Sequence, residues 1–282
     1  MNYRHAFHAG NHADVLKHLV LTRVLAYLQR KEAPFRAIDT HAGLGWYDLT
    51  ADEATRTGEW HDGWGRLAEP FAPEIEVLLA PYRAAVAHLQ ERHGPESYPG
   101  SPALIRHFLR PGDRGVFVEL HPADGALLHE RFSHDARTKV MALDGWTALP
   151  ALIPPKERRG LVLIDPPYEV PGEIGRLGRD LAKAVAKWPT GLYLAWYPIK
   201  DIGAVDRMAA ALGAALDRPA LRIDLLIDSP DDPTRLSGSG LIAVNPPYTL
   251  AGEMETVLPA LAERLARGAY GAFRCEAIGR AA

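Results

Sequence analysis

Four consecutive residues, Asp165-Pro166-Pro167-Tyr168, place a carboxylate, a backbone carbonyl and an aromatic ring side by side. They follow the apolar run 160–164, which is typical of a short buried parallel strand that the two prolines terminate. Neither proline can donate a backbone N–H, and Pro167 favours an extended Pro166, so the Pro166 carbonyl should be left free. The carboxyl edge of such a sheet is where open α/β folds bind ligands. The segment therefore fits a flat heterocycle with an exocyclic amino group, although a strand followed by a proline turn and an exposed tyrosine would show the same residues.

A second polar segment, Asp39-Thr-His-Ala-Gly43-Leu-Gly45, follows the first predicted strand. Two glycines one residue apart permit a tight turn and a close approach of the backbone to a ligand. The dinucleotide fingerprint needs a third glycine where this chain has Asp48, so the GxGxxG pattern fails.

Two further acidic positions end predicted strands. Glu119 lies at the tip of the second strand, where a carboxylate can accept hydrogen bonds from ribose hydroxyls. It lies 119 − 43 = 76 residues after Gly43, a gap that an insertion would explain. The pair Asp144-Gly145 ends the third strand and could equally be a simple turn.

The surrounding pattern predicts a doubly wound α/β sheet. Seven predicted strands cover residues 35–39, 115–119, 139–143, 160–164, 191–196, 221–227 and 240–244. Helical patterns cover 12–31, 74–92, 124–134, 173–188, 201–216 and 252–267. We interpret residues 1–45 with 101–282 as one α/β domain and residues 46–100 as an inserted, mainly helical subdomain.

Composition limits the possible functions. A single cysteine excludes an internal disulfide framework and fits a reducing compartment, so a cytoplasmic location is expected. No apolar run approaches the ~18 residues of a membrane span, and no membrane partner is expected. The formal net charge of -3 argues against nonspecific coating of nucleic acid but permits a local basic patch.

The N-terminal stretch from Tyr3 to His18 contains four histidines and Asp14, which raises the question of a zinc site. The histidine spacings of three, four and six match no HExxH site, and no cysteine accompanies them. We therefore expect no metal here or elsewhere in the mechanism.

The motifs together resemble those of a known family. Asp165-Pro-Pro-Tyr168 resembles motif IV, (D/N)PP(Y/F), of the amino-methyltransferases that act on adenine N6, cytosine N4 or glutamine N5. Asp39 with Gly43-Leu-Gly45 resembles motif I of class I methyltransferases. The ordered blocks YRHAFHAGNHADVLKH, DTHAG, YPGSP, ELHP, DG, LIDPPYE and WYP resemble the bacterial 23S ribosomal RNA adenine-N6-methyltransferase family RlmJ, from Tyr3 to Tyr248.

The resemblance implies a Rossmann-like class I methyltransferase fold with a seven-stranded, mostly parallel sheet. It also implies that S-adenosylmethionine is the methyl donor and that the target is N6 of an adenine in 23S ribosomal RNA. The protein is expected to be monomeric. The implied donor-binding residues are His18, His41, Gly43, Ser101, Glu119, Asp144, Gly145 and Asp165. The implied catalytic residues are Asp165, Pro166 and Tyr168, with Tyr168 stacking on the flipped adenine. The implied RNA contacts are Tyr3, Arg4, His5 and Tyr168, the first three on an N-terminal arm that we expect to be mobile without substrate.

A second copy of the signature, Asn245-Pro-Pro-Tyr248, follows the seventh predicted strand. In a sheet ordered 3-2-1-4-5-7-6, only the residues after the fourth strand face the crevice beside the first. Asp165 is thus expected in the site, and Asn245 is expected to be structural.

Other functions are also compatible with parts of this sequence. An N6-adenine or glutamine-N5 methyltransferase acting on DNA or protein shares the Pro-Pro-Tyr turn, but the glutamine enzymes normally have Asn where this chain has Asp165. An NAD-dependent oxidoreductase shares the fold but needs the missing glycine. A non-catalytic RNA-binding module would leave the donor pocket without a purpose.

Overall fold

The structure, a computed structural model, describes residues 4–279, and these residues form ten strands and nine α-helices. The strands are β1 (Arg36–Asp39), β2 (Trp46–Asp48), β3 (Ser97–Pro99), β4 (Arg114–Val118), β5 (Thr138–Met141), β6 (Gly160–Ile164), β7 (Leu192–Ile199), β8 (Pro219–Leu226), β9 (Gly238–Val244) and β10 (Ala272–Gly279). The helices are α1 (His12–Gln29), α2 (Asp52–Thr57), α3 (Pro73–His93), α4 (Ser101–Phe108), α5 (Pro122–Phe132), α6 (Gly145–Leu152), α7 (Glu173–Lys187), α8 (Ile202–Ala215) and α9 (Leu250–Leu265). Three short 3₁₀ turns cover His5–Phe7, Glu59–Asp62 and Trp64–Leu67.

The main sheet has the strand order β10-β8-β9-β7-β6-β1-β4-β5. Strands β5, β4, β1, β6 and β7 are parallel, whereas β9, β8 and β10 are joined by antiparallel pairs. The seven predicted strands therefore have the expected order 3-2-1-4-5-7-6. The expected strand number was wrong, because β10 adds an eighth strand at the edge. Its side chains are half-buried or exposed, so the sequence shows no apolar run there.

The sheet is buried on both faces, as strands of a doubly wound fold must be. Alternate residues of a strand serve opposite faces. Leu161 and Leu163 of β6 share one buried cluster with α1, α3, α4 and α9, while Val162 and Ile164 share the other with α6, α7 and α8. Each side of β6 is thus covered, which explains its uninterrupted apolar sequence.

Helix α1 crosses one face of the sheet and begins at a well-formed cap. The Asn11 side chain accepts hydrogen bonds from the backbone N–H groups of Ala13 and Asp14, at 2.9 and 3.1 Å. Most of the helix is buried, including polar Asp14, Lys17 and His18 near its N-terminus. The cap therefore sets the register that brings these three residues to the edge of the sheet.

The segment 46–100 begins and ends at one place, since β2 pairs antiparallel with β3 and Trp46 lies opposite Pro99. Because the two ends of the segment are adjacent, it can be inserted into the α/β fold without separating the elements on either side. Ile75 and Leu79 of α3 belong to the same buried cluster as Leu16 and Leu19 of α1. The division into two domains stays a prediction. In the part of the chain that is described, no helix has the length and apolarity that crossing a membrane requires.

Candidate active site

A cavity of about 290 Å³ opens at the carboxyl edge of the parallel strands, where the strand order reverses between β1 and β6. The turns after β1, β4 and β6 meet there because Asp39 pairs with Phe117 of β4 and with Leu163 of β6. Residues predicted from the sequence that line it are His5, His18, His41, Gly43, Ser101, Glu119, Asp144, Gly145 and Asp165.

The turn after β1 is held against Glu119. The two carboxylate oxygens of Glu119 accept hydrogen bonds from the backbone N–H groups of Gly43, at 2.8 Å, and His121, at 2.7 Å. Burial nevertheless raises the Glu119 pKa, and the two amides oppose that rise. Gly43 has φ +61°, and a Cβ there would lie 2.5 Å from the Tyr47 hydroxyl. Glycine therefore adopts this turn without the backbone strain and the close contact that a side chain would bring.

Asp39, at the end of β1, is fully buried. Burial raises the pKa of its carboxyl to about 7, and the charge of Asp165 adds to this rise. Hydrogen bonds from the Ser101 hydroxyl and the His41 amide oppose it. One carboxyl oxygen, Oδ2, has no hydrogen-bond partner in the described structure. Asp39 is thus largely protonated below neutral pH.

Asp165 belongs to a charged network with helix α1. The ammonium group of Lys17 lies 2.6 Å from Asp165 Oδ2 and 2.9 Å from Asp14 Oδ1, and His5 Nε2 lies 3.0 Å from Asp14 Oδ2. Burial lowers the Lys17 pKa, but the carboxylates of Asp14 and Asp165 more than compensate and hold it well above its ordinary value. Lys17 is therefore a permanent cation that holds one oxygen of Asp165.

Two histidines that line the cavity, His18 and His41, are held as neutral rings. Burial lowers the pKa of His18 to about 3 and that of His41 to about 4. His18 Nδ1 lies 3.0 Å from the Tyr98 hydroxyl, and His18 Nε2 has no hydrogen-bond partner in the described structure. The Nε2 atom lies 3.7 Å from Asp14 Oδ1, beyond hydrogen-bond distance, so this neutral imidazole can still bind a polar ligand atom at the wall of the cavity.

The Asp144-Gly145 pair starts helix α6. Asp144 Oδ2 accepts hydrogen bonds from the backbone N–H and the hydroxyl of Thr147, both at 2.8 Å, so it is a helix cap. Gly145 lies against the turn after β1, since a Cβ there would be 2.2 Å from the Thr40 carbonyl oxygen and 2.5 Å from His41 Nε2. The pair therefore fixes the distance between two walls of the cavity.

Tyr168 and Pro166 do not line this cavity, whereas Asp165 and Pro167 do. Tyr168 has φ 54°, and its hydroxyl donates a 2.6 Å hydrogen bond to the carbonyl oxygen of Trp196. The two rings meet edge to face with centroids 5.6 Å apart, and the Lys17 ammonium lies 5.9 Å from the Trp196 ring centroid. The rings of Tyr168 and Trp196, which we call the aromatic wall, therefore adjoin the Lys17–Asp165 pair.

Of the predicted N-terminal contacts, Tyr3 lies outside the described residues. The Arg4 guanidinium pairs with Glu53 at 3.0 Å and with Asp124 at 3.3 Å. His5 reaches the cavity wall through its contact with Asp14. The start of the described chain is thus held to both the inserted segment and α5.

Asn245 lies at the opposite edge of the sheet, because β9 runs antiparallel to β7. Its side-chain amide donates to the carbonyls of Pro189 and Gly191, at 2.9 and 2.6 Å. Tyr248 beside it is 82% exposed. This position agrees with the structural role expected for Asn245.

Lys17 and Asp14 are site residues that motif analysis did not select for catalysis. Lys17 is 148 residues from Asp165, and its only sequence signal was its place in the distinctive N-terminal block. Trp196 was expected in a strand and in the WYP block of the family resemblance, without a role in the site; its indole nitrogen is buried and has no hydrogen-bond partner in the described structure.

Comparison with known proteins gives consistent matches. Residues 32–278 match a family model described as RsmJ, ribosomal RNA large subunit methyltransferase D, RlmJ. The chain is 39% identical to ribosomal RNA large subunit methyltransferase J of Escherichia coli, over 96% of both chains. It is 37% identical to the protein of the same name from Haemophilus influenzae, over 99% of both chains. A crystal structure of a Legionella pneumophila protein superposes with a TM-score of 0.85 at 32% identity, covering 97% of this chain and 99% of that one.

Proposed function

This chain belongs to the RlmJ family of ribosomal RNA large subunit methyltransferases, and from that premise we propose how its cavity performs the reaction. The enzyme transfers a methyl group from S-adenosylmethionine to N6 of an adenine in 23S ribosomal RNA. The observation that supports our assignment of the site is the Asp165 carboxylate, which meets the cavity at the switch point of the sheet with one oxygen already held by Lys17.

The donor side of the cavity fits S-adenosylmethionine. Glu119, fixed by two backbone amides, keeps lone pairs for the ribose hydroxyls, and the glycines at 43 and 145 leave no side chain in the way. The unused His18 nitrogen and the Ser101 hydroxyl supply further polar contacts. When bound, the donor supplies an electrophilic methyl group on a cationic sulfur.

The acceptor side uses Asp165 and Pro166. The nitrogen of an adenine amino group is a poor nucleophile because its lone pair is delocalised into the ring. Asp165 Oδ1 and the Pro166 carbonyl oxygen would accept its two hydrogens and favour a more tetrahedral nitrogen whose lone pair points towards the donor. Lys17 holds Oδ2, so Oδ1 is the oxygen presented to the substrate. Positioning of this kind supplies most of the acceleration, and Asp165 accepts the proton after transfer.

The aromatic wall and the N-terminal arm would hold the flipped base. Tyr168 is locked by its hydrogen bond to Trp196, so its ring presents a fixed face. Tyr3, Arg4 and His5 would close over the base, which requires Arg4 to leave Glu53 or Asp124. Because ribosomal RNA is the substrate, we expect the protein to act in the cytoplasm. We expect no metal, since no step of the proposed transfer calls for one. The monomeric state stays a prediction.

The test is methylation of 23S ribosomal RNA from a strain lacking the enzyme, with N6-methyladenosine measured by mass spectrometry. We expect Asp165→Ala to abolish transfer while the protein still folds and Lys17 keeps its contact with Asp14, and Asn245→Ala to retain most activity. An active Asp165→Ala enzyme would overturn the assignment.

The donor assignment is tested separately by calorimetry. Glu119→Ala should weaken S-adenosylmethionine binding by roughly 1.5–3 kcal/mol, the worth of a hydrogen bond to a charged group, or about 10- to 150-fold in affinity. Unchanged donor affinity in a folded Glu119→Ala protein would contradict it.

A further inference from the structure

A second cavity of about 220 Å³ lies outside the active site, between helices α3 and α4 and the loop after α5. We call it the basic pocket and define it by His88, Arg92, His93, Arg106, His107 and Arg137, which line it together with Trp46 and Phe132. Six cationic or potentially cationic side chains thus surround one small volume.

Few acidic groups balance these charges. Arg106 and Arg137 share a single carboxylate, Asp135, at 2.9 and 2.6 Å. The side chains of Arg92 and the three histidines make no hydrogen bond or ion pair within residues 4–279, and the three histidine rings contact other aromatic rings. Burial lowers the pKa of His93, and the positive charges of Arg92, Arg131 and Arg106 lower it further. The pocket therefore has a positive potential that an anion would relieve.

The pocket also has an ordered aromatic wall. The His93 ring stacks on Trp46 with centroids 4.4 Å apart and an interplanar angle of 29°. Arg131 lies 4.1 Å from the centroid of the same indole, and Phe132 meets it edge to face at 5.8 Å. Flat rings beside a cation without an ion-pair partner in the described residues, here Arg92, are a combination that binds a nucleic-acid strand, because the rings stack on bases and the cation contacts phosphate.

The basic pocket and the catalytic cavity are lined by residues of the same two elements, α4 and β2. Helix α4 begins at Ser101, which lines the catalytic cavity, and presents Arg106 to the basic pocket. The two residues are five positions apart in the helix, an axial rise of about 7.5 Å at 1.5 Å per residue. In β2, Tyr47 lines the catalytic cavity and the adjacent Trp46 lines the basic pocket. The two cavities therefore share β2 and α4 as walls, and the adjacent side chains of Trp46 and Tyr47 point to opposite faces of the strand.

We propose that the basic pocket binds the phosphodiester backbone of the ribosomal RNA beside the target nucleotide, with Arg92 and the three histidines contacting phosphate and the Trp46–His93 stack adjoining a base. This site rests on the proposed function, since RNA is its ligand, but it is separate from the residues that transfer the methyl group.

The test compares two charge reversals on exposed helix positions. Arg92→Glu changes the basic pocket. Arg207→Glu makes the same change on α8, at a side chain that is 74% exposed and lies on the opposite face of the sheet. Binding of a fluorescein-labelled 23S ribosomal RNA fragment is measured by anisotropy over a series of KCl concentrations.

We expect Arg92→Glu to weaken RNA binding about tenfold and to reduce the slope of log affinity against log salt by about 1, the loss of one phosphate contact. Arg207→Glu should change affinity less than about twofold on the same scale. In steady-state assays, Arg92→Glu should raise KM for RNA, with kcat and the affinity for the methyl donor unchanged. A failure of the proposed function would be distinguishable from this result, because it would appear as an active Asp165→Ala enzyme.

Wild-type affinity and salt slope in a folded Arg92→Glu protein would overturn the proposal and leave the pocket to some other anion, such as an acidic protein segment. An equal loss in Arg207→Glu would also overturn it, since the effect would then come from net charge alone.

Discussion

Replacing Asp39 with asparagine should make the ligand-free protein more stable at neutral pH, and the gain should grow as the pH rises from 5 to 7. Asp39 is fully buried, and one of its oxygens has no partner in the described structure. Burial raises its pKa from 3.8 to about 7. The folded protein therefore keeps a proton on Asp39 that the unfolded chain has already lost.

The size of the effect follows from linkage. Between pH 4 and 7 the folded state binds one more proton than the unfolded state at this residue, so stability falls as the pH rises. Each unit of pKa difference is worth 1.36 kcal/mol, so the rise from 3.8 to about 7 costs about 4 kcal/mol above pH 7. The asparagine variant does not titrate. Its free energy of unfolding, relative to wild type, should increase by about 2–3 kcal/mol between pH 5 and 7 and then level off.

The assay is urea unfolding of both proteins at pH 5, 6, 7 and 8 without methyl donor. Asp113→Asn is the matched control, because Asp113 is also fully buried. Burial raises its pKa, but hydrogen bonds from Arg110 and from two backbone amides outweigh that and place it below 3.8. It is ionised in both states over this range, so its asparagine variant should differ from wild type by a constant amount. A constant difference for Asp39→Asn as well would refute the reasoning, since Asp39 would then be ionised in the folded protein.

Three further changes test the neighbouring groups. Lys17→Met leaves two carboxylates without their shared cation, so it should abolish methyl transfer and lower the free energy of unfolding by roughly 3–5 kcal/mol in a thermal or urea denaturation; a stable, active variant would contradict this. Gly145→Ala forces a Cβ to within 2.2 Å of the Thr40 carbonyl oxygen, so donor affinity by calorimetry should fall at least tenfold (about 1.4 kcal/mol), and normal affinity would show that the turn can yield. Tyr3→Ala should strongly reduce transfer while donor affinity and melting temperature stay the same; a much lower melting temperature would instead indicate that Tyr3 packs against the core.

The positions of seven strands of the main sheet could be predicted because their determinants are local, whereas their order followed from the resemblance to class I methyltransferases. Each buried parallel strand is a short apolar run, and the polar residues that follow these runs, at 39, 119 and 165, converge by topology alone. The same reasoning separated the two Pro-Pro-Tyr copies, because Asn245 follows a strand that lies beyond the switch point and runs antiparallel to its neighbour.

The edge strand β10 could not be predicted in this way. Its side chains are half-buried or exposed, so it lacks the apolar run that marked the other strands. It is defined by its pairing with β8, in which Cys275 lies opposite Ile223. Such pairing depends on a partner some fifty residues away and leaves little trace in a local window.

Long-range contacts of polar residues were also beyond sequence patterns. Lys17 is a helix residue with no motif of its own, and only packing of α1 across the sheet brings its ammonium to 2.6 Å from Asp165. The Trp46–His93 stack likewise joins the start of β2 to the end of α3. Neither pair has a periodicity that a window of residues could detect.

The distribution of charge explains how an acidic protein acts on RNA. The catalytic cavity is lined by the carboxyl groups of Glu119, Asp124, Asp144, Asp165, Glu169 and Glu173 against the full cations Lys17 and Arg176. Such a cavity attracts the cationic sulfur of the donor and repels phosphate, so the RNA backbone has to be held elsewhere. A base carries no charge and can enter an acidic cavity once it has left its helix. The basic pocket, one short helix away, supplies the missing attraction, and a net charge of -3 is therefore compatible with specific RNA binding.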